Sequence, residues 1–427
     1  MTASNITAVR GRRVWDSRGW PTVEAEIELA DGAFGRAIAP AGASRGSGEA
    51  VDLRDGGVTF GGQDVLGAIE GVNSVIAEAL IGLDATNQRT VDECMIELDG
   101  TENKSRLGGN ATVAVSMATA HAAAMAAGQP LWRYLGGEKA GPMPLPEIQI
   151  FGGGAHAARR VDVQDFMVIA TGAEDYVTAL DWTAEVYRAA GSLMEEKGLL
   201  QGVADEGGYW PAFDTNETAL DALVASIERS GLIPGDDVSI SLDVAASEFG
   251  ANGRYRLGLE ERELDSDGLG EMLEDWVGRY PIVSIEDPLG EDDEAGLRKF
   301  TAALGDRIQI IGDDFLVTNS DRVRAAGKDG VCNALLCKPN QAGTLTEAKA
   351  AADAASDAGF GVVVSARSGE TEDVTIVHLA VGWSAPQLKV GSFTRSERMV
   401  KWNEGLRVAE QLPSGGKLWP KNSYPWA

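Results

Sequence analysis

The chain has 427 residues, of which 44% are hydrophobic and 24% are charged, with 53 Gly and 15 Pro. This length and composition exclude a disordered chain, a collagen-like chain and a small disulfide scaffold, and they allow two domains with a large core. Acidic residues outnumber basic ones by 65 to 37, which gives a formal net charge of −28. A chain of this charge is a poor partner for nucleic acid or an anionic membrane, although it remains compatible with a small anionic substrate.

The cysteines and the N-terminus give no sign of an oxidising compartment or of a membrane. Cys94, Cys332 and Cys337 have neither metal-like spacing nor the number expected of a disulfide framework, so we expect reduced thiols. No basic segment followed by an apolar one opens the chain. The most apolar long stretch, residues 111–127, is rich in Ala and predicts a buried helix. We therefore expect a soluble, cytoplasmic protein.

The first third of the chain predicts an α+β domain. Residues 14–29 end in the apolar alternation of a half-buried strand, and the turn-rich segment 40–48 follows. Helical patterns continue from there, and the Gly- and Pro-bearing stretch 136–142 predicts a linker. We therefore predict an N-terminal domain over residues 1–136 and a second domain over residues 142–427.

Short apolar runs recur in the second domain, and each leads into an ionisable residue. Successive residues of this kind are 43, 27, 25 and 29 positions apart, which is the length of one strand, one helix and their loops. Continuous apolar runs indicate strands covered on both faces. These features predict parallel β/α units closed into a barrel; an open doubly wound sheet is the alternative, but no Gly-rich phosphate loop follows a first strand. The residues at the run ends are Asp243, Glu286, Asp313, Lys338 and Arg367.

Three of these residues are carboxylates on consecutive predicted strands. At one barrel mouth, Asp243, Glu286 and Asp313 would repel one another unless a cation lay between them. Oxygen ligands suit Mg²⁺ or Mn²⁺ rather than Zn²⁺. Lys338 follows the next strand and is a candidate base, because nearby cations depress the pKa of an ammonium group. A carboxylate taken singly is more often a helix cap or a solvated charge, and it is the shared register that favours a metal site.

Further candidate residues come with two interpretations each. Arg367 and Ser368 end another predicted strand, where they could hold a phosphate or carboxylate or form a structural salt bridge. His156 follows the glycine-rich segment 152–155, a predicted mobile loop that could carry it over a ligand. The sequence from Asp205 to Gly208 is a second acidic group, although such a sequence is usually only a turn.

Several long motifs, taken in order, resemble those of the enolase family over nearly the whole chain. The resemblance implies an α/β fold in which an N-terminal α+β capping domain precedes an enolase-type β/α barrel, usually as a homodimer or higher homo-oligomer. The motifs are Asp16–Glu24, Gly42–Ser44, Asp205–Gly208, Ser284–Pro288, Gly312–Asp314, Lys338 with Asn340–Leu345, Arg367–Asp373 and Arg395–Arg398.

The resemblance also implies roles for individual residues. Lys338 matches the base that removes the proton alpha to the substrate carboxylate. Glu206 matches the acid that helps the C3 hydroxyl leave, and Asp165 stands where the family has the glutamate paired with that acid. For metal binding it implies one tight Mg²⁺ on Asp243, Glu286 and Asp313 and a second on Ser44 that arrives with substrate. For substrate binding it implies His156, Gln164, Ser365, Arg367, Ser368 and Lys389.

Departures from the family pattern concentrate around the phosphate-binding side. Ala366 stands where the family has a histidine, and Asp165 is one methylene shorter than the usual glutamate. Arg45 replaces a threonine of the first loop, and Trp20 replaces an asparagine. The space at Ala366 and the added charge of Arg45 favour a larger or different anionic ligand.

These features predict a specialised enolase-like enzyme that makes an enolpyruvate ester from an acid of the 2-phosphoglycerate or phosphoenolpyruvate type. The expected partners are small phospho- or phosphono-acids, with a cytidine-nucleotide-activated phosphonate as the possible donor, as in phosphonate natural-product pathways. One alternative is an ordinary phosphopyruvate hydratase. Another is a non-catalytic binding protein of the same fold, which the loss of metal ligands or of Lys338 would favour; none of these residues is lost.

Overall fold

Residues 2–426 are described by the computed structural model, and the N-terminal part is built on an antiparallel sheet of three strands. These are β1 (Ile6–Trp15), β2 (Pro21–Leu29) and β3 (Phe34–Ile38). The stretch 14–29 is therefore not one strand, because a turn in which Asp16 accepts hydrogen bonds from the amides of Arg18 and Trp20 reverses the chain. Most of strand β1 could not be predicted from the sequence, because its arginines interrupt the apolar pattern.

Helices cover one face of this sheet. The Ala-rich segment forms the predicted buried helix, α4, whose residues from Gly109 to Ala120 are all buried. A Cβ at Gly35 would lie 2.0 Å from the carbonyl oxygen of Ala118, so glycine in β3 permits the close approach of α4. The helices are α1 (Leu66–Gly71), α2 (Ala77–Leu80), α3 (Gln88–Asp99), α4 (Gly109–Ala126) and α5 (Leu131–Gly136), with a π-helical turn, Val72–Ile76, between α1 and α2.

The second part of the chain is a closed barrel of eight strands, which confirms the predicted fold class. Its order around the barrel is β4, β5, β6, β10, β11, β12, β13 and β14, and β7, β8 and β9 form a small separate sheet. The strands are β4 (Leu145–Gly152), β5 (Asp165–Ile169), β6 (Ser239–Asp243), β7 (Gly250–Ala251), β8 (Arg254–Leu257), β9 (Arg262–Asp265), β10 (Ile282–Glu286), β11 (Gln309–Gly312), β12 (Ala334–Cys337), β13 (Gly361–Ser365) and β14 (Gln387–Gly391).

Six of the helices described in this part begin at a capping side chain, whereas α11, α13 and α14 do not. Asp293, for example, accepts a hydrogen bond from the amide of Gly296 at the start of α9, and Leu297, Phe300 and Leu304 form the buried face of that helix. The helices are α6 (Tyr176–Glu196), α7 (Asn216–Arg229), α8 (Ser266–Arg279), α9 (Glu294–Leu304), α10 (Ser320–Asp329), α11 (Pro339–Ala342), α12 (Leu345–Asp357), α13 (Thr375–Gly382) and α14 (Ser396–Gln411).

The units predicted from strand spacing, β6 and β10 to β13, are parallel as expected, but the barrel as a whole is not. Strand β5 runs antiparallel to both β4 and β6, whereas the other neighbouring pairs are parallel. Asp165, the first residue of β5, therefore pairs with Asp243, the last residue of β6. The reversal places Asp165 at the mouth of the barrel, among the carboxyl ends of the parallel strands.

The N-terminal part contacts the barrel at its mouth. The amide of Ala41 donates to the carbonyl of Gly369, and the amide of Ala50 donates to the carbonyl of Gln341. These contacts hold residues 40–52, which we call the first loop, over the barrel.

Within residues 2–426, no single helix is both long and apolar enough to cross a membrane. In the same described range, α4 taken with the segment Leu131–Lys139, across a bend of 90°, meets the length and composition of a span.

Candidate active site

Buried charged side chains from five strands or strand ends meet at the barrel mouth. Asp243 ends β6, Glu286 ends β10, Asp313 follows β11, Lys338 follows β12 and Lys389 lies in β14. Each of the five is no more than 7% exposed. The structure thus brings together the carboxylates and the lysine whose convergence the sequence predicts.

Two ammonium groups lie among the three carboxylates. Nζ of Lys389 is 2.7 Å from Oε2 of Glu286 and 3.2 Å from Oδ2 of Asp243. Lys338 donates a hydrogen bond to Asp313. Burial alone would lower the pKa of both lysines, but the carboxylates outweigh it and raise both pKa values, that of Lys389 well above its usual range. Both lysines are therefore charged in this arrangement.

The donor set also fits a hard cation. Oε1 of Glu286 is buried, and no group in residues 2–426 donates a hydrogen bond to it. Burial, together with the charge of Asp243, raises the pKa of Glu286 well above its usual value, so the ionised carboxylate is short of positive charge. An oxygen of this kind, with the charges of Asp243 and Asp313 acting on the same carboxylate, suits a divalent ion that prefers oxygen ligands. Of the four predicted ligands, Ser44 and Asp243 line the cavity at the mouth, whereas Glu286 and Asp313 lie outside its lining.

The closest clusters of ligand atoms are different sets, however. His156 with Asp165 and Glu206, and Asp313 with Asp287 and Asp314, each have ligand atoms within 4.8 Å of one another. Asp287 already accepts hydrogen bonds of 2.8 and 2.9 Å from the amides of Asp313 and Asp314, so it holds the turn after β11. The predicted trio of carboxylates is not among these close clusters, and all three of its members are paired with a lysine, two with Lys389 and one with Lys338.

His156 forms the second part of the site. Its Nδ1 lies 3.0 Å from Oδ1 of Asp165, and its Nε2 lies 3.8 Å from Oε1 of Glu206 and 3.3 Å from Oγ of Ser368. Burial alone would lower the pKa of His156, but Asp165 and Glu206 outweigh it and raise the pKa to about 9. The same pairing lowers the pKa of Asp165 against the effect of its burial. The loop predicted to be mobile is a short 3₁₀ helix, Gly154–Ala157, with His156 closed over the mouth.

Of the two interpretations of Arg367, a ligand contact or a salt bridge, the structure shows the salt bridge. Its guanidinium makes two hydrogen bonds, of 2.9 and 3.1 Å, to the carboxylate of Glu49 in the first loop. It also donates to the carbonyl of Ser44 at 3.0 Å and to Oδ1 of Asn340 at 3.1 Å. Glu49 was not predicted as a site residue. The sequence feature that could have identified it is its position five residues after Ser44 in the same turn-rich loop.

The remaining predicted residues divide between the cavity and the surface. Gln164 donates a hydrogen bond of 2.9 Å to Oδ2 of Asp243, and Ser365 lines the cavity. Arg45 does not reach the cavity: its side chain is 42% exposed and lies 3.2 Å from Asp52. In this structure the carboxylate of Asp52 holds Arg45 outside the cavity, and the expected contact of Arg45 with an anionic substrate stays a prediction.

The cavity enclosed by these residues has a volume of only about 20 Å³, room for roughly one water molecule. In this structure the site is therefore too small for a ligand much larger than water unless a covering segment moves. Its lining residues are Ser44, His156, Gln164, Asp165, Glu206, Asp243, Lys338, Ser365, Ala366, Arg367, Ser368 and Lys389.

Comparison with family models matches both parts of the chain. Residues 6–135 match the model described as "Enolase, N-terminal domain", and residues 141–424 match the model described as "Enolase, C-terminal TIM barrel domain". Together these matches cover nearly the whole chain, in the order that the fold shows. The chain belongs to the enolase family.

Proposed function

We propose that this protein is a Mg²⁺-dependent enzyme that forms an enolpyruvate ester, specifically a carboxyphosphonoenolpyruvate synthase of phosphonate natural-product biosynthesis. Its substrates would be a three-carbon acid of the 2-phosphoglycerate or phosphoenolpyruvate type and a phosphonoformate activated by a cytidine nucleotide. The proposal combines two features: a complete set of groups for enolate chemistry, and a changed phosphate-binding side.

Lys338 is the proposed base. It lies beside Asp313, which in this arrangement keeps it protonated. Asp313 would be one of the residues that hold the cation, which would leave Lys338 without its counter-ion and with a lower pKa; the role proposed for Lys338 is to accept the C2 proton of the acid. Lys389, which is paired with Glu286 and Asp243, is in turn released to bind the substrate carboxylate.

Asp243, Glu286 and Asp313 would hold the cation. Ser44 would be a ligand of a second ion that enters with substrate. Magnesium bound there supplies positive charge that stabilises the negative charge developing on the substrate carboxylate.

Glu206 and His156 are the proposed groups on the opposite side of the substrate. Both line the cavity, and His156 lies between Glu206 and Asp165. Glu206 must hold the proton that it gives to a leaving hydroxyl at C3, and protonated His156, whose Nε2 lies 3.8 Å from Oε1 of Glu206, can supply it, while Asp165 keeps the imidazole oriented.

Ala366 is the single observation that favours ester formation over ordinary hydration. The family has a histidine at this position, and here a methyl group lines the cavity beside Arg367 and Ser368. Loss of an imidazole removes a charge partner for phosphate and leaves volume for a different phosphorus group. Arg367 and Ser368 remain available to an anion once the first loop opens.

An ordinary phosphopyruvate hydratase is the second candidate. The retention of Lys338, Glu206 and the three carboxylates at the mouth favours it, because these groups suffice for dehydration of 2-phosphoglycerate. We further propose that the protein acts as a homodimer or higher homo-oligomer, as the family resemblance implies.

Phosphorus NMR tests the proposal. The purified chain is incubated with Mg²⁺, CMP-phosphonoformate and either 2-phosphoglycerate or phosphoenolpyruvate. Release of the cytidine nucleotide with a new phosphonate-ester signal, accompanied by loss of the acid's own C2 phosphoryl group as inorganic phosphate or on the released nucleotide, supports the proposal. Formation of phosphoenolpyruvate from 2-phosphoglycerate alone, with the donor untouched, supports the hydratase instead. If neither reaction occurs, both candidate functions are contradicted.

A further inference from the structure

A second cavity lies on the small sheet formed by β7, β8 and β9, and we call it the sheet cavity. Its volume is about 770 Å³, against about 20 Å³ for the cavity at the mouth. Sites for small molecules commonly have volumes of about 300–1,000 Å³, so the sheet cavity has the size of a ligand site. The lining residues that give it chemical character are Phe249, Arg254, Arg256, Glu263 and Asp265.

Two arginines of β8 line the sheet cavity without an acidic partner. Residues of β8 are alternately exposed and buried, and Arg254 and Arg256 are the exposed ones, so their side chains lie on the same face. Their cross-strand neighbours are Asp265 and Glu263, yet neither guanidinium forms an ion pair or a side-chain hydrogen bond among residues 2–426. Their donors are therefore available to an anion, and the planar guanidinium suits phosphate in particular.

The other lining residues offer groups of a different kind. Phe249 is half-buried, and its carbonyl accepts a hydrogen bond of 2.9 Å from the amide of Arg256. Glu263 is exposed, whereas Asp265 is engaged at the start of α8, where Oδ1 accepts a hydrogen bond of 2.9 Å from the amide of Gly268. An aromatic ring can stack on a nucleobase, and a carboxylate can accept hydrogen bonds from ribose hydroxyl groups. The set as a whole matches the three parts of a nucleotide.

The sheet cavity lies at the rim of the barrel mouth. The small sheet follows β6 in the chain, so it begins at the carboxyl end of a barrel strand. In the connecting turn, Glu248 forms an ion pair of 2.8 Å with Arg159, which follows the 3₁₀ helix that covers the mouth. Oγ of Ser247 accepts a hydrogen bond of 2.9 Å from the amide of Glu291, whose carboxylate accepts one of 3.0 Å from the amide of Ser47 in the first loop.

We propose that the sheet cavity binds the nucleoside monophosphate part of the activated donor. Arg254 and Arg256 would hold its phosphate, Glu263 its ribose hydroxyl groups and Phe249 its base. The cavity at the mouth is too small for a nucleotide, and a nucleotide on the rim leaves the phosphonate end of the donor free to extend into the mouth. This inference rests on the proposed function, from which it takes the cytidine nucleotide as donor.

Calorimetric titration of the full chain with CMP, without added metal, is the test. We expect saturable binding of one CMP per chain. Arg254→Ala and Arg256→Ala should each weaken it about tenfold, because each removes charge-assisted hydrogen bonds to the phosphate. Phe249→Leu should weaken it about fivefold through loss of stacking. No binding of CMP, or an unchanged affinity in both arginine variants, would overturn the proposal.

Arg262→Ala is the matched control. Arg262 is an exposed arginine of the same small sheet, but it does not line the sheet cavity. Its removal changes the net charge equally, and we expect the affinity for CMP to stay the same. An equal loss in Arg262→Ala would show that overall charge governs binding, against the proposal. Thermal unfolding checks that each variant is folded, and Arg254→Gln replaces Arg254→Ala if the latter is not.

Parts of the nucleotide give a second test. Inorganic phosphate and cytidine each engage only some of the lining residues, so each should bind at least about tenfold more weakly than CMP. If phosphate alone binds as tightly as CMP, the cavity is a site for simple anions and the proposal is wrong. If cytidine alone binds as tightly as CMP, the role of the two arginines is contradicted.

The ester-forming reaction separates this inference from the proposed function. In that reaction Arg256→Ala should raise the KM for CMP-phosphonoformate about tenfold. If the ester forms and this KM is unchanged in Arg254→Ala and Arg256→Ala, the sheet cavity is not the nucleotide site, while the proposed function stands. If CMP binds as expected but no ester forms, the nucleotide site stands and the proposed ester formation is contradicted.

Discussion

Oε2 of Glu286 lies 2.7 Å from Nζ of Lys389, while Oε1 of the same carboxylate meets no donor among residues 2–426. Half of the carboxylate is thus neutralised by a lysine and the other half is buried without a partner. A buried, unsatisfied oxygen costs about 1–3 kcal/mol, and more when the group is charged. This arrangement indicates that Oε1 of Glu286 can bind a second positively charged group in addition to Lys389.

Replacement of Glu286 by Gln should weaken Mg²⁺ binding by roughly 10²-fold, because an anionic ligand oxygen becomes a neutral one. Calorimetric titration of the metal-free chain measures the affinity. The matched control is Glu147→Gln, since Glu147 is also a buried carboxyl of the barrel but hydrogen-bonds Ser241 instead of lying at a strand end. An equal loss of affinity in both variants would show that general charge, and not the mouth site, governs binding.

Lys338→Ala should abolish exchange of the C2 proton of 2-phosphoglycerate with deuterated water, with a loss of roughly 10³-fold. Mg²⁺ affinity should be unchanged or increased, because Asp313 loses its competing partner. Proton NMR follows the exchange. Lys104→Met is the control, since Lys104 is a buried lysine paired with Glu347 away from the cavity lining. Persistent exchange in Lys338→Ala would assign the base elsewhere.

His156 should titrate near pH 9 in the metal-free protein, and Asp165→Asn should lower this pKa. The folded-state pKa lies above the ordinary value of 6.5, so the protonated form favours folding. This contribution to the free energy of unfolding is complete below pH 6.5 and disappears as the pH rises through about 9. NMR of the imidazole protons measures the pKa directly, because the chain has only three histidines. An Asp165→Asn variant with an unchanged His156 pKa would contradict the assigned pairing.

Ala366→His should shift the enzyme toward ordinary hydration. The imidazole would restore a phosphate partner and occupy the space assigned to the phosphonate donor. We expect about tenfold faster formation of phosphoenolpyruvate from 2-phosphoglycerate, measured by absorbance, and a matching loss of ester formation, measured by phosphorus NMR. Ala366→Ser, which adds one small polar group, serves as the control. If ester formation survives the histidine substitution, the donor does not use this space.

The strand ends could be predicted from sequence because each apolar run is short and is followed at once by its charged residue. The same logic could not give the direction of β5. Its buried run from Phe166 to Ile169 is equally apolar whichever way the strand points, and only pairing with β4 and β6 sets the direction.

Contacts between side chains on opposite sides of the barrel mouth could not be predicted from the sequence either. The pairing of Glu49 with Arg367 joins residues 318 positions apart, and no local pattern marks it. Within the first loop, Asp52 pairs with Arg45, a contact that the sequence did not indicate either. Long-range hydrogen bonds and ion pairs of this kind are settled by tertiary packing.

The most direct test of the account is a crystal structure of the chain grown with Mn²⁺, a stand-in for Mg²⁺ whose anomalous scattering locates the ion. The account predicts one strong peak bounded by oxygens of Asp243, Glu286 and Asp313, with the ammonium of Lys389 displaced from Glu286. A peak confined to the cluster of His156, Asp165 and Glu206, or no peak at the mouth, would contradict it.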